Sequence, residues 1–152
     1  MRKAIQAFVL VLAVATVAPL GAQAVSSRAG TSAASPAVPA RLVGRWTKTV
    51  TAATWHRNQV YGEIAGRWTM VIAPSGKASL YVPLAGKPFL LTSMHTETTG
   101  SSIVFGPTSD AVCPRKASFS WSLSGGALAL AAVKDDCIAR RILMTAGSWT
   151  RA

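Results

Sequence analysis

The sequence predicts an all-β fold, an eight-stranded antiparallel meander closed into a small barrel, and three observations carry that prediction. Apolar and small polar residues alternate along Ala117-Ser118-Phe119-Ser120-Trp121-Ser122-Leu123, the period of two expected of a half-buried strand. Short runs rich in β-branched and aromatic residues recur between Gly- and Pro-containing turn signals, with no sustained helical repeat. A sequential meander of this size closes best on itself, because closure removes the unpaired edges on which chains aggregate. A two-sheet β-sandwich is the alternative architecture, since it accepts the same strand pattern.

The most legible stretch runs from Cys113 to Cys137. Gly125-Gly126 is the dipeptide a two-residue type I′ turn wants, because both central residues take φ > 0. A turn centred there pairs Leu123 with Leu128, Trp121 with Leu130 and Phe119 with Ala132, apolar against apolar each time. Cys113 and Cys137 fall one residue out of that register. A one-residue bulge near Pro114, which cannot donate to the ladder, brings them opposite. With 2 cysteines in the chain only one pairing exists, and no CxxC spacing or nearby His favours a metal site. A disulfide-closed hairpin is expected.

Taken in order, residues 1–24 read as an export signal. Arg2 and Lys3 precede an apolar run from Ala7 to Ala18, Pro19 and Gly21 break it, and Ala22-Gln23-Ala24 is an A-x-A cleavage site. The run is shorter than the ~20 residues of a spanning helix. The expectation is therefore a secreted, extracytoplasmic protein with no stable membrane insertion after cleavage, an oxidising setting that suits the disulfide. Residues 25–40, rich in Ser, Ala and Pro, should form a flexible tether. The folded domain is placed at 41–152.

Within it, residues 42–51 form the first strand candidate. Residues 51–66 show neither period and read as a long loop with room for a short helix or strand. Residues 67–73 put Trp68, Met70 and Ile72 on one face. Pro74-Ser75-Gly76-Lys77 turns the chain into 78–84, where Leu80, Val82 and Leu84 align. After Gly86-Lys87-Pro88, the run 89–98 places Phe89 and Leu91 on one face and ends in the polar Thr92, Ser93, Thr96 and Thr98, read as an exposed strand end. Residues 102–105 follow, then the hairpin. The last strand is expected from Arg141-Ile142-Leu143-Met144, kinked at Gly147, through Trp149-Thr150-Arg151.

Gly44-Arg45-Trp46 resembles the opening of the lipocalin-like (calycin) barrels. The C-terminal half is similar to uncharacterised lipocalin-like proteins exported by high-GC bacteria. The shared features are Cys113, Phe119-Ser120-Trp121, Leu128-Ala129-Leu130, Asp135-Asp136-Cys137, Arg140 and Trp149-Thr150-Arg151. The Thr-Asp-Tyr motif of typical lipocalins has no counterpart, so the resemblance implies a related small barrel. It also implies barrel closure at Gly44, Trp46 and Arg151, with Arg151 against the Trp46 indole as a cation–π partner, and apolar-ligand binding by analogy of fold.

The chain carries 16 Lys+Arg against 5 Asp+Glu; without Arg2 and Lys3 that is 14 against 5, a net of +9. The basic residues are scattered, as on a solvated exterior, yet the excess favours polyanions. Acidic wall polymers or lipid headgroups are the expected class, an anionic cell-wall polymer first, and not nucleic acid. No Gly-x-Ser-x-Gly elbow or His pair at metal spacing occurs. His95 and Glu97, two apart on one strand face, are the nearest approach to an acid/base pair. Asp135 and Asp136 should cap a turn and pair with Arg140 or Arg141. No catalytic, metal or cofactor site is assigned. The tryptophans either pack the interior or line a pocket open at one end. The expected function is a secreted, non-enzymatic, monomeric binding protein holding a small apolar ligand in the barrel mouth, with Trp68, Met70, Phe89, Phe105 and Trp121 as ligand-binding residues. The alternative is a basic surface-binding or inhibitor-like module that engages the wall polymer or a protein partner.

Overall fold

The computed structural model describes residues 38–58, 64–108 and 113–152. The expected leader, most of the expected tether, Glu63 and Asp110 lie outside these. Eight strands, β1 (Gly44–Val50), β2 (Gly66–Ile72), β3 (Lys77–Leu84), β4 (Lys87–Thr99), β5 (Ser102–Phe105), β6 (Ala117–Ser124), β7 (Ala127–Lys134) and β8 (Trp149–Arg151), pair in sequence order. Every pairing is antiparallel, and β8 returns to β1 with Trp46 opposite Arg151 and Thr47 opposite Thr150. The sheet is therefore a closed barrel, and the sandwich alternative is excluded. Two short helices, α1 (Ala52–Arg57) and α2 (Ile138–Thr145), complete it.

The alternation that predicted the strands is what fills the barrel. Trp46 and Val50 of β1, Trp68, Met70 and Ile72 of β2, and Ala78, Leu80 and Val82 of β3 point inward and are buried. So do Ile103 and Phe105 of β5, Phe119 and Trp121 of β6, Leu128 and Leu130 of β7, and Trp149 of β8. The β6–β7 turn has Gly125 at φ 54° and Gly126 at φ 78°, and its three apolar pairs stand in the expected register. The register shift lies between Ser118 and Phe119, where Val133 is the extra residue, and not near Pro114. Cys113 and Cys137 sit just beyond the hairpin ends and are joined by the disulfide.

Three expectations are corrected. Val38, the first of the described residues, is buried in the core, so the described end of the expected tether packs on the barrel. In β4 the polar residues Thr92, Thr96 and Thr98 are buried while Phe89, Leu90 and Leu91 are exposed. The cause is a bulge: Leu80 pairs with Thr92 and Tyr81 with Leu90, so Leu91 is unpaired and the inward parity switches there. Phe89 keeps the side of Val82. However, β5 pairs only with Thr96–Thr99, so the start of β4 has no second neighbour to cover it.

The third correction is α2. Residues 141–144, read as strand, are helical, and only Thr150 and Arg151 pair with β1. Three consecutive apolar residues suit a buried helix as well as a strand, and the surroundings decide. Asp135 accepts from the Cys137 backbone N–H at 2.9 Å and from Arg140 Nε and Nη2 at 3.0 and 2.8 Å. At the other end Lys48 Nζ donates to the Met144 and Gly147 carbonyls at 3.2 and 3.4 Å, satisfying acceptors a helix C-terminus leaves open. Lys48 and Arg140 are thus buried and not part of a solvated exterior.

Candidate functional site

The two ends of the barrel differ. One is shut. Leu42, wholly buried, accepts from Trp46 Nε1 at 2.9 Å, and Arg151 lies over the Trp46 ring at 4.5 Å. Gly44, at φ 142°, makes this possible: a Cβ there would meet Arg151 Nη1 at 2.7 Å. Arg41 stacks over Trp121 at 4.5 Å. The residues assigned to closure, Gly44, Trp46 and Arg151, are therefore brought together.

The opposite end is covered less completely, by α1 and α2, and holds a cavity of about 170 Å³. Its walls are Trp68 of β2, Leu80 of β3, Leu91, Thr92 and Met94 of β4, Trp55 of α1 and Leu143 of α2, closed by Thr108, Cys113 and Arg140. Thr51 caps α1 by accepting from the Thr54 N–H at 3.2 Å, and the helix buries Trp55. The Trp55 and Trp68 rings meet edge to face with centroids 6.4 Å apart, and both indole N–H groups donate to the Ile64 carbonyl. Their polar tips are satisfied, so they offer the cavity only apolar surface.

Arg140 is held by Asp135 and donates to the Cys113 carbonyl, which also accepts from Thr108 Oγ1. Thr92 is different. It is 5 % exposed, lines the cavity, and its hydroxyl has no hydrogen-bond partner among the described residues. A buried hydroxyl without a partner is destabilising. The arrangement can do one thing well: enclose a small apolar body that carries a single hydrogen-bonding group.

Of the five residues assigned to ligand binding, Trp68 lines this cavity. Phe89, 56 % exposed, belongs to the neighbouring uncovered start of β4. Met70, Phe105 and Trp121 are packed into the interior, Phe105 edge to face with Phe119 at 5.7 Å. Both readings of the aromatics therefore apply, to different parts of the barrel. Sequence reasoning missed Trp55, which lies in a stretch without period, and Thr92, whose inward direction depends on the bulge. Leu80 was on the expected inward face and was the signal available.

His95 and Glu97 lie on the exposed side of β4, and Glu97 pairs with Lys116 at 3.7 Å. Among the described residues, no three of His, Cys, Asp and Glu gather as a metal site. Asp135 caps the turn and pairs with Arg140 as expected, whereas Asp136 pairs with Arg115 at 3.2 Å and not with Arg140 or Arg141. Inside the barrel the Lys48 ammonium, 4.5 Å from the Trp149 ring centroid, is pushed by burial from its ordinary 10.5 down to about 7. No described helix is long and apolar enough to cross a membrane. No protein-family model and no curated protein sequence matches the chain.

Proposed function

We propose that this is an exported, lipocalin-like binding protein that holds a small apolar ligand at the open end of its barrel. One observation carries the reading: an apolar cavity whose only unpartnered buried polar atom, among the described residues lining it, is the Thr92 hydroxyl. The volume, about 170 Å³, is below the ~300 Å³ at which drug-sized sites begin and close to the ~150 Å³ that encloses a benzene ring. The ligand class is therefore a single ring or short chain with one hydroxyl or carbonyl. The leader and the disulfide support an extracytoplasmic setting.

The test is a titration of intrinsic tryptophan fluorescence with substituted phenols and short-chain alcohols. Trp55 and Trp68 border the cavity, so binding should change their emission, insensitive to salt. Thr92→Val should weaken a phenol by about tenfold relative to toluene, the value of one buried hydrogen bond. Equal affinity of the variant for both probes, or no binding of either by the wild type, would overturn the reading.

A further inference from the structure

We infer that the tip of the β3–β4 hairpin is a docking surface for an anionic lipid bilayer. Six large hydrophobic residues are strongly exposed among those described, and four of them, Leu84, Phe89, Leu90 and Leu91 at 46–56 %, fall within this one hairpin. Single exposed apolar residues are ordinary, but here both sides of one hairpin tip carry them, Leu84 and Phe89 on the Val82 side and Leu90 on the Tyr81 side, and such clustering marks a surface that meets something. The tip is well built: Leu84 pairs with Lys87 and Val82 with Phe89 across a two-residue Ala85-Gly86 turn. It therefore presents its apolar side chains from a paired scaffold.

The charge beside it identifies the partner. Arg45, Arg67 and Lys87 line a single surface groove together with Pro83, Gly86 and Pro88 of the same hairpin. The described carboxylates are engaged elsewhere, Glu97 with Lys116, Asp135 with Arg140 and Asp136 with Arg115. Among the described side chains the groove is therefore lined by three cations and no carboxylate, with Ala152 at its edge. A water-soluble anionic polymer would use these cations but would leave Leu84, Phe89 and Leu90 in water. A second copy of the chain would bring like charges together. A bilayer with anionic headgroups satisfies both features, because apolar side chains enter the acyl boundary to a depth of about 5–10 Å. Three cations near such a surface raise partitioning by roughly a hundredfold. Leu91 belongs both to this patch and to the cavity wall, so docking sets the open end of the barrel against lipid.

The test uses the full chain with an environment-sensitive fluorophore on Ala85→Cys, since both native cysteines are in the bridge. A second preparation carries it on Val133→Cys, 69 % exposed in the wild type and on β7. Phosphatidylcholine vesicles containing phosphatidylglycerol should shift the tip label to the blue and leave the β7 label unmoved, which separates tip insertion from any membrane affinity of the N-terminal residues. Phe89→Ser with Leu90→Ser should weaken the shift at least tenfold without changing the melting temperature, and Arg67→Glu with Lys87→Glu should do the same. An unmoved tip label, equal shifts at both positions, a shift without lipid that grows with protein concentration, or a response to soluble polyphosphate that survives the Phe89/Leu90 change would each overturn the inference.

Discussion

Arg151 lies over the indole of Trp46 at 4.5 Å while its guanidinium donates to the carbonyls of Val43 and Arg41 at 3.0 and 2.6 Å. One side chain of the last strand thus pins the chain as it enters the first. Arg151→Ala is expected to lower stability by about 1–2 kcal/mol. Arg151→Lys should recover only part of that, because an ammonium lacks the planar fork that reaches both carbonyls while stacking. Urea midpoints of the three proteins check this, and full recovery by Lys would refute it.

Thr92→Val exchanges an unpartnered buried hydroxyl for a methyl of the same shape. The ligand-free protein should gain about 1–2 kcal/mol, whereas most core substitutions destabilise. Thermal melts with and without a phenol separate this gain from the loss of binding. A destabilised ligand-free variant would mean the hydroxyl has a partner.

Lys48 makes stability depend on pH. Its folded value of about 7 lies below the ordinary 10.5, so between these limits the unfolded chain holds more protons than the folded one. Stability must then rise with pH through that window, by up to about 1.4 kcal/mol per pH unit, and the penalty of burying the charge is fully present below pH 7. Lys48→Met should flatten the rise, although it leaves the Met144 and Gly147 carbonyls without their donor. Chemical denaturation at pH 6, 8 and 9.5 reads the slope.

Ala85 is the only non-glycine residue at positive φ among those described, at 49° in the tip turn. Ala85→Gly or Ala85→Asn should stabilise by about 0.5–1 kcal/mol, since both adopt the left-handed region more readily. The adjacent Gly86 is unconfined, since a Cβ there would meet no atom within 4 Å. A loss of stability in both variants would show that the alanine is held by packing.

Reduction of Cys113–Cys137, separated by 24 residues, should lower stability by about 3 kcal/mol through release of the unfolded chain. Cys137 precedes the first turn of α2, so amide exchange should quicken in that helix before the β6–β7 strands. Uniform loss of protection would place the bridge's effect on the whole barrel instead. Asp135→Asn, which leaves Arg140 buried against a neutral partner, should cost about 3–5 kcal/mol and point the same way.

What the sequence determined by itself was everything local in origin. Gly125-Gly126 forces the turn, the Ser/aromatic alternation orients β6, and the arithmetic between them pairs Trp121 with Leu130. The count of strands and their meander order follow from the same short-range signals, and closure follows from the need to remove edges. Tertiary structure decided whatever depended on a partner distant in sequence. The Ile142-Leu143-Met144 run became a helix because Asp135 and Lys48 satisfy its two ends, and Lys48 is 96 residues from Met144. The polar part of the cavity lining was not legible for a related reason. Its polar handle, Thr92, turns inward only because Leu91 is extra in the β3–β4 ladder, and a bulge is a property of two strands together, invisible in either alone.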